Sequence, residues 1–72
     1  MKYNVGDLIV ETGFKYTRDY RKGYITDVEE HYKNGYVVII KWFDIEHEDV
    51  YHCDQIDSWI ERNNAKHYPV GK

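Results

Sequence analysis

Few stretches leave a chain as little choice as Tyr36-Val37-Val38-Ile39-Ile40-Lys41-Trp42. β-Branched and aromatic residues dominate it, which favours a strand. Lys33-Asn34-Gly35 stands just before it. Asn and Gly both tolerate positive φ, so this tripeptide predicts a tight hairpin turn. In a strand, Tyr36, Val38, Ile40 and Trp42 share one face, while Val37, Ile39 and Lys41 share the other. Two apolar faces on one strand call for cover on both sides. A small barrel covers only the inner one. The outer pair, Val37 and Ile39, is therefore expected beneath the C-terminal segment, through Trp59 and Ile60, or beneath another chain in a homo-oligomer.

The remaining sequence surrounds that strand with more of the same kind. Glycines at 6, 13, 23, 35 and 71 punctuate short β-rich runs, the pattern of an all-β meander. Val5-Gly6-Asp7 predicts a turn before a first strand at Leu8 to Glu11. Thr12 to Lys22 reads as a long loop without clean periodicity. A second strand follows Gly23, from Tyr24 to Glu30. The third is Tyr36 to Trp42. Phe43 to Glu48 is an acidic turn, and Asp49 to His52 a fourth short strand. Ile56, Trp59 and Ile60 have helical spacing, and Ser58-Trp59-Ile60-Glu61 reads as a capping box. A 3₁₀ turn at Asp54 to Asp57 with a short closing strand fits residues 57–62 equally well. Asn63 to Lys72 is expected to be a loose tail. The organisation read from the sequence is thus one domain over residues 1–62 and a tail over 63–72.

With 72 residues there is room for a single core. A domain of this size buries only about 60% of the surface its unfolded chain exposes. The single cysteine, Cys53, excludes an internal disulfide and suits a reducing compartment. The longest apolar run, Tyr36 to Ile40, is far short of the ~20 residues of a membrane span. No apolar run follows Met1-Lys2-Tyr3-Asn4, so no signal peptide is expected and the cytoplasm is the expected setting. Ten Lys and Arg against thirteen Asp and Glu give a formal charge of −3, which disfavours sequence-independent DNA binding. Aromatic content of 17% excludes a disordered chain.

Val5-Gly6-Asp7-Leu8-Ile9-Val10, Gly23-Tyr24-Ile25-Thr26-Asp27-Val28, Val38-Ile39-Ile40-Lys41-Trp42-Phe43-Asp44 and Ile56 together resemble small SH3-like barrels of the Tudor and KOW type. The resemblance spans roughly residues 3 to 60. It implies a five-stranded SH3-like barrel with a short C-terminal helical turn. Small proteins of this look are frequent in bacteriophage genomes, which implies a phage accessory protein acting in the host cytoplasm. Two departures stand out. Asp44 is followed by Ile45 where the pattern usually has Gly, and the first loop is longer and more aromatic than a minimal barrel needs.

That first loop is the leading candidate site. Of the nine residues Phe14, Lys15, Tyr16, Thr17, Arg18, Asp19, Tyr20, Arg21 and Lys22, four are basic and three aromatic. Rings interleaved with cations suit a protein partner's acidic surface, and equally base stacking with phosphate contact. The competing expectation is that the loop folds down and its cations pair with the acidic turn Asp44, Glu46, Glu48 and Asp49. Phe14, Tyr16, Tyr20, Trp42 and Phe43 could also form a cage for a methylated cation, the Tudor-type use of such rings. Ordinary core and rim packing is the simpler expectation for them.

His47, Asp49, His52 and Cys53 offer zinc-ligand types without paired Cys spacing, so no metal is expected. The lone Ser58 suits a cap, and there is no Gly-x-Ser-x-Gly, Gly-rich phosphate loop or His-Glu-x-x-His. Neither an enzyme nor a cofactor is expected. The reading is a non-catalytic interaction module. A protein partner docks on Phe14, Lys15, Tyr16, Arg18, Tyr20 and Arg21, flanked by Trp42 and Phe43, with Val37 and Ile39 as an oligomer face. A small virion structural subunit and a nucleic-acid-binding barrel are the alternatives.

Overall fold

A computed structural model describes residues 2–12, 21–31, 35–43 and 47–71. Alternation along the central strand sets the architecture. Val38, Ile40 and Trp42 are fully buried, and Val37, Ile39 and Lys41 between them are half-buried on the other face. The elements are β1 (Leu8–Glu11), β2 (Lys22–His31), β3 (Gly35–Trp42), β4 (Glu48–His52), α1 (Cys53–Glu61) and β5 (Ala65–Tyr68). The strands make one antiparallel sheet in the order β4-β3-β2-β1-β5. The expected small all-β domain of five strands is what the chain forms.

β2 carries a fault that its sequence requires. Strict alternation from Ile25 would turn Asp27 inward. The register with β3 shifts between Ile25 and Asp27, so Ile25 pairs with Ile40, and Val28 with Val38. This bulge keeps both apolar residues on the inner face and sends Asp27 to solvent. Gly23, opposite Trp42, is a second fixed point. A Cβ there would lie 2.8 Å from Trp42, from Ile40 and from the Lys41 carbonyl.

The C-terminal third differs from expectation in three respects. Residues 57–61 are helical, with Arg62 as the C-cap, but the helix starts earlier, at Cys53, and Ser58 lies inside it. His52 is the cap. Its extended backbone ends β4, and its Nδ1 accepts the Asp54 N–H at 3.2 Å. Second, the expected tail from Asn63 onward, described as far as Gly71, is not loose. Asn63 takes φ 61°, its N–H donates to the Ile60 carbonyl at 3.1 Å, and the Asn64 N–H donates to the Trp59 carbonyl at 2.8 Å. This left-handed helix end reverses the chain and delivers β5 beside β1, pairing Leu8 with Tyr68 and Glu11 with Ala65. The domain therefore continues through β5 rather than ending at residue 62. Third, Trp59 and Ile60 do not cover Val37 and Ile39. With Ile56 fully buried, they pack from α1 onto the inner cluster of Tyr3, Ile9, Ile25, Val38, Ile40, Trp42 and Cys53.

Candidate functional site

β1 ends at Glu11 and β2 resumes at Lys22, so both ends of the first loop are anchored in the sheet. The Glu11 N–H donates to the Arg21 carbonyl at 2.8 Å, and the Phe43 N–H to the Lys22 carbonyl at 2.8 Å. This joins the loop base to the start of the β3–β4 turn. Phe14, Lys15, Tyr16, Arg18 and Tyr20 lie outside the described residues, as do Asp44 and Glu46 of the acidic turn.

The described part of the site is a polar network on an aromatic floor. Glu11 falls on the inward parity of β1 with Ile9 and is only 5% exposed. Arg21 meets it with two hydrogen bonds, Nε to Oε2 at 2.8 Å and Nη2 to Oε1 at 2.7 Å. The planar fork matches the carboxylate, which makes this the strong form of an ion pair. The Arg21 guanidinium also lies 4.2 Å from the Trp42 ring centroid. Trp42 Nε1–H donates to Asp49 Oδ2 at 3.1 Å, and the Tyr51 hydroxyl donates to the same oxygen at 3.2 Å. Tyr51 stands edge-on to Trp59, with centroids 4.8 Å apart. The bonds to Glu11 hold the Arg21 pKa above its already high usual value. Burial, with the Asp49 charge adding to it, pushes the Tyr51 phenol up.

Two residues expected at the partner site, Trp42 on its flank and Arg21 in the loop, therefore have other work. Trp42 is fully buried, and its ring carries an internal cation rather than waiting for one. Arg21 is committed to Glu11 and Trp42. The cage reading loses Trp42 for the same reason, since one guanidinium occupies that ring. Phe43 differs: it is 62% exposed, and its ring lies tilted against that of Tyr24, also exposed, with centroids 5.8 Å apart. The sequence marks neither Glu11 nor Tyr51, and marks Asp49 only as an acid of the turn and as a metal-ligand type. A Glu on the inward parity of a strand is a legible sign of a buried partner cation. Nothing local marks Tyr51, or Asp49 as the acceptor for Trp42.

The four residues with zinc-ligand chemistry do not converge. β4 runs extended between His47 and His52, which separates them by roughly 15 Å at ~3.3 Å per residue. His47 sits 3.5 Å from Asp49. His52, Cys53 and Asp54 form a separate group with ligand atoms within 4.8 Å of one another. There the His52 Nδ1 already serves as the helix cap.

A second polar centre lies at the opposite end of β1. Asp7, 1% exposed, accepts from the Asn4 N–H at 3.0 Å, the Val70 N–H at 2.9 Å and His67 Nε2 at 2.7 Å. A carboxylate only accepts, so His67 carries its proton on Nε2 here. Burial acts to raise this carboxyl, and the bonds from Val70, His67 and Asn4 outweigh it, leaving its pKa below the ordinary value. The Tyr3 ring lies edge-on to His67 at 4.9 Å, and its hydroxyl donates to Asp57. Asp57, also paired with Lys2 at 3.2 Å, is held low by the Tyr3 bond first and Lys2 second. This centre ties the first turn to β5 and α1 and is a structural staple. No family model, curated protein or solved structure matches the chain.

Proposed function

We propose that this protein is a non-catalytic interaction module, related to small SH3-like barrels, that docks a protein partner at the loop end of its sheet. The observation that carries the reading is the exposed ring of Phe43, packed against Tyr24 beside the base of the basic and aromatic first loop. Exposed aromatics are enriched in recognition surfaces because they give large contact area for few frozen rotors. The Glu11–Arg21–Trp42–Asp49 network supports the reading from beneath, since a binding loop works best on rigid supports. The strand order, with a helix between β4 and β5, suits the suggested kinship. A phage origin, with action in the host cytoplasm, belongs to the same proposal.

A pull-down from bacterial lysate compares the wild type with a Tyr16→Ala, Tyr20→Ala, Phe43→Ala variant. Arg21 is left intact because removing it would unpair Glu11. A protein retained by the wild type and lost by the variant is the expected outcome. Equal retention by both moves the site away from the loop end. Retention of nucleic acid that is released by salt would replace the protein partner with a polyanion.

A further inference from the structure

We propose that the outer face of β5, β1, β2 and β3, at the loop end of the sheet, is a docking strip for an acidic segment of a partner protein. This names the partner class of the docking site at Phe43 and rests on that reading. The register builds the strip row by row. Leu8 pairs with Tyr68 on β5 and with Tyr24 on β2, and Tyr24 pairs with Lys41 on β3. These make one row across four strands. Nearer the loop, Val10 pairs with Lys66 and with Lys22, and the Phe43 N–H donates to the Lys22 carbonyl. These make a second row. The residues between the rows, Ile9, Gly23 and Trp42, are buried, so both rows face outward. Tyr24, Phe43 and Tyr68 are exposed large rings, and Lys22 and Lys66 are exposed beside them.

Charge names the occupant. The two rows carry Lys22, Lys41 and Lys66 and no acid, in a chain whose formal charge is −3. None of the three lysines makes an ion pair among the described residues. The outward acids stand at the borders. Glu48, opposite Lys41, bounds the strip on the β4 side, and Asp27, level with Ile39, bounds it toward the hairpin. Cations set among exposed rings complement a segment in which carboxylates alternate with apolar side chains. Three inter-strand spacings make the strip roughly 14 Å wide, the reach of four or five extended residues at ~3.3 Å each. A single nucleic-acid strand fits less well. The Tyr24 and Phe43 planes cross at 40° and the rings pack against each other, so they do not offer bases two parallel faces. A run of phosphates also carries its charge past the strip, onto Glu48 and Asp27.

Fluorescence anisotropy at low salt reads the contact with a labelled peptide of about ten residues, rich in Glu and Asp around one central Phe. The wild type is expected to bind it with a Kd of about 100 μM. The same peptide with Gln and Asn for Glu and Asp, and a labelled oligothymidylate of similar length, are each expected to bind about tenfold more weakly or not at all. Lys22→Glu and Lys66→Glu, at exposed positions, are each expected to weaken the acidic peptide about fivefold with an unchanged circular dichroism spectrum. Phe43→Ala is expected to weaken it about tenfold. No binding by the wild type up to about 1 mM overturns the proposal. So does affinity indifferent to both charge reversals. Equal binding of the amide peptide overturns the role of charge, and equal binding of the oligothymidylate replaces the protein partner with a polyanion. A lysate pull-down separates these failures from failure of the docking site itself. A protein lost with Phe43→Ala but kept by the Lys22→Glu, Lys66→Glu double variant leaves the site standing and overturns its acidic partner.

Discussion

Asp7 and Glu11 stand at the two ends of one short strand, on the same inward parity, and both are buried. What neutralises them differs. Glu11 is met by a side chain with a permanent charge, in bidentate geometry. Asp7 is met by two backbone N–H groups and one imidazole. The Glu11 end is thus held by a single ion pair, whose Arg21 also forms the base of the first loop. The Asp7 end is shared among three donors from the first turn, β5 and the segment beyond it. A buried carboxylate can be satisfied in either way, but the first concentrates the dependence on one residue and the second distributes it. The contrast also suits the proposed division of labour, with a stiff loop base at one end and a closed terminus at the other.

Removing Arg21 tests the concentrated arrangement and should have the largest effect. Arg21→Met leaves Glu11 buried without a counter-charge, at an expected cost of about 3–5 kcal/mol. Urea unfolding measures it. The Arg21→Met, Glu11→Leu double variant should recover most of the loss, because the burial penalty disappears with the charge. If the single variant costs less than about 1 kcal/mol, a typical exposed pair, the network is not the foundation of the loop end.

Asp7→Asn tests the distributed arrangement and should cost less, about 1–3 kcal/mol. The amide oxygen still accepts, so some of the three donors keep a partner. The amide –NH₂, however, faces donors where the carboxylate offered only acceptors. The loss should concentrate in the C-terminal segment, read as faster hydrogen exchange at the Val70 amide, with the Glu11 amide less affected. Equal acceleration at both positions would erase the distinction between the two ends.

The sequence made the sheet more legible than its closure. Period-two alternation in Tyr36 to Trp42 sorts inner from outer residues correctly, and Gly35 opens the third strand, while Lys33 and Asn34 of the turn signal lie outside the described residues. Those signals are local, and so are the phenomena they report. The β2 bulge was less visible, although the inward parity that would otherwise bury Asp27 hints at it. A fifth, closing strand was expected no later than residue 62, and its place escaped because Ala65-Lys66-His67-Tyr68 is short and polar. It is a strand only because Asn63 turns the chain left-handed and β1 offers an unpaired edge. Asn63-Asn64 after a helical pattern was the available clue. Cap preferences favour Ser58, whereas the observed cap, His52, is an uncommon choice. At the candidate site, basic and aromatic composition pointed to the loop. Only three-dimensional placement separates Trp42 and Arg21, turned inward, from Phe43, turned outward.

Acid titration gives the finest test of the contrast. The folded-state pKa of Asp7 is depressed, so its contribution to stability is fully present above its ordinary value of 3.8. That contribution is lost as pH falls through the lower folded value, because the folded state then takes up a proton more reluctantly than the unfolded chain. Asp57 is depressed too and adds to the same acid limb. Arg21 moves in the opposite sense. Its folded pKa is raised, so its contribution persists as pH falls and is lost only far on the alkaline side. Stability measured by urea unfolding below pH 5 should therefore decline less steeply in Asp7→Asn than in the wild type. Comparing Asp7→Asn with a Tyr3→Phe variant, which takes the phenol donor from Asp57, apportions the limb between the two acids. An acid limb of equal slope in wild type and Asp7→Asn would mean that the three donors hold the Asp7 carboxyl no better than water does. The staple at that end of β1 would then rest on packing of Tyr3 against His67 rather than on charge.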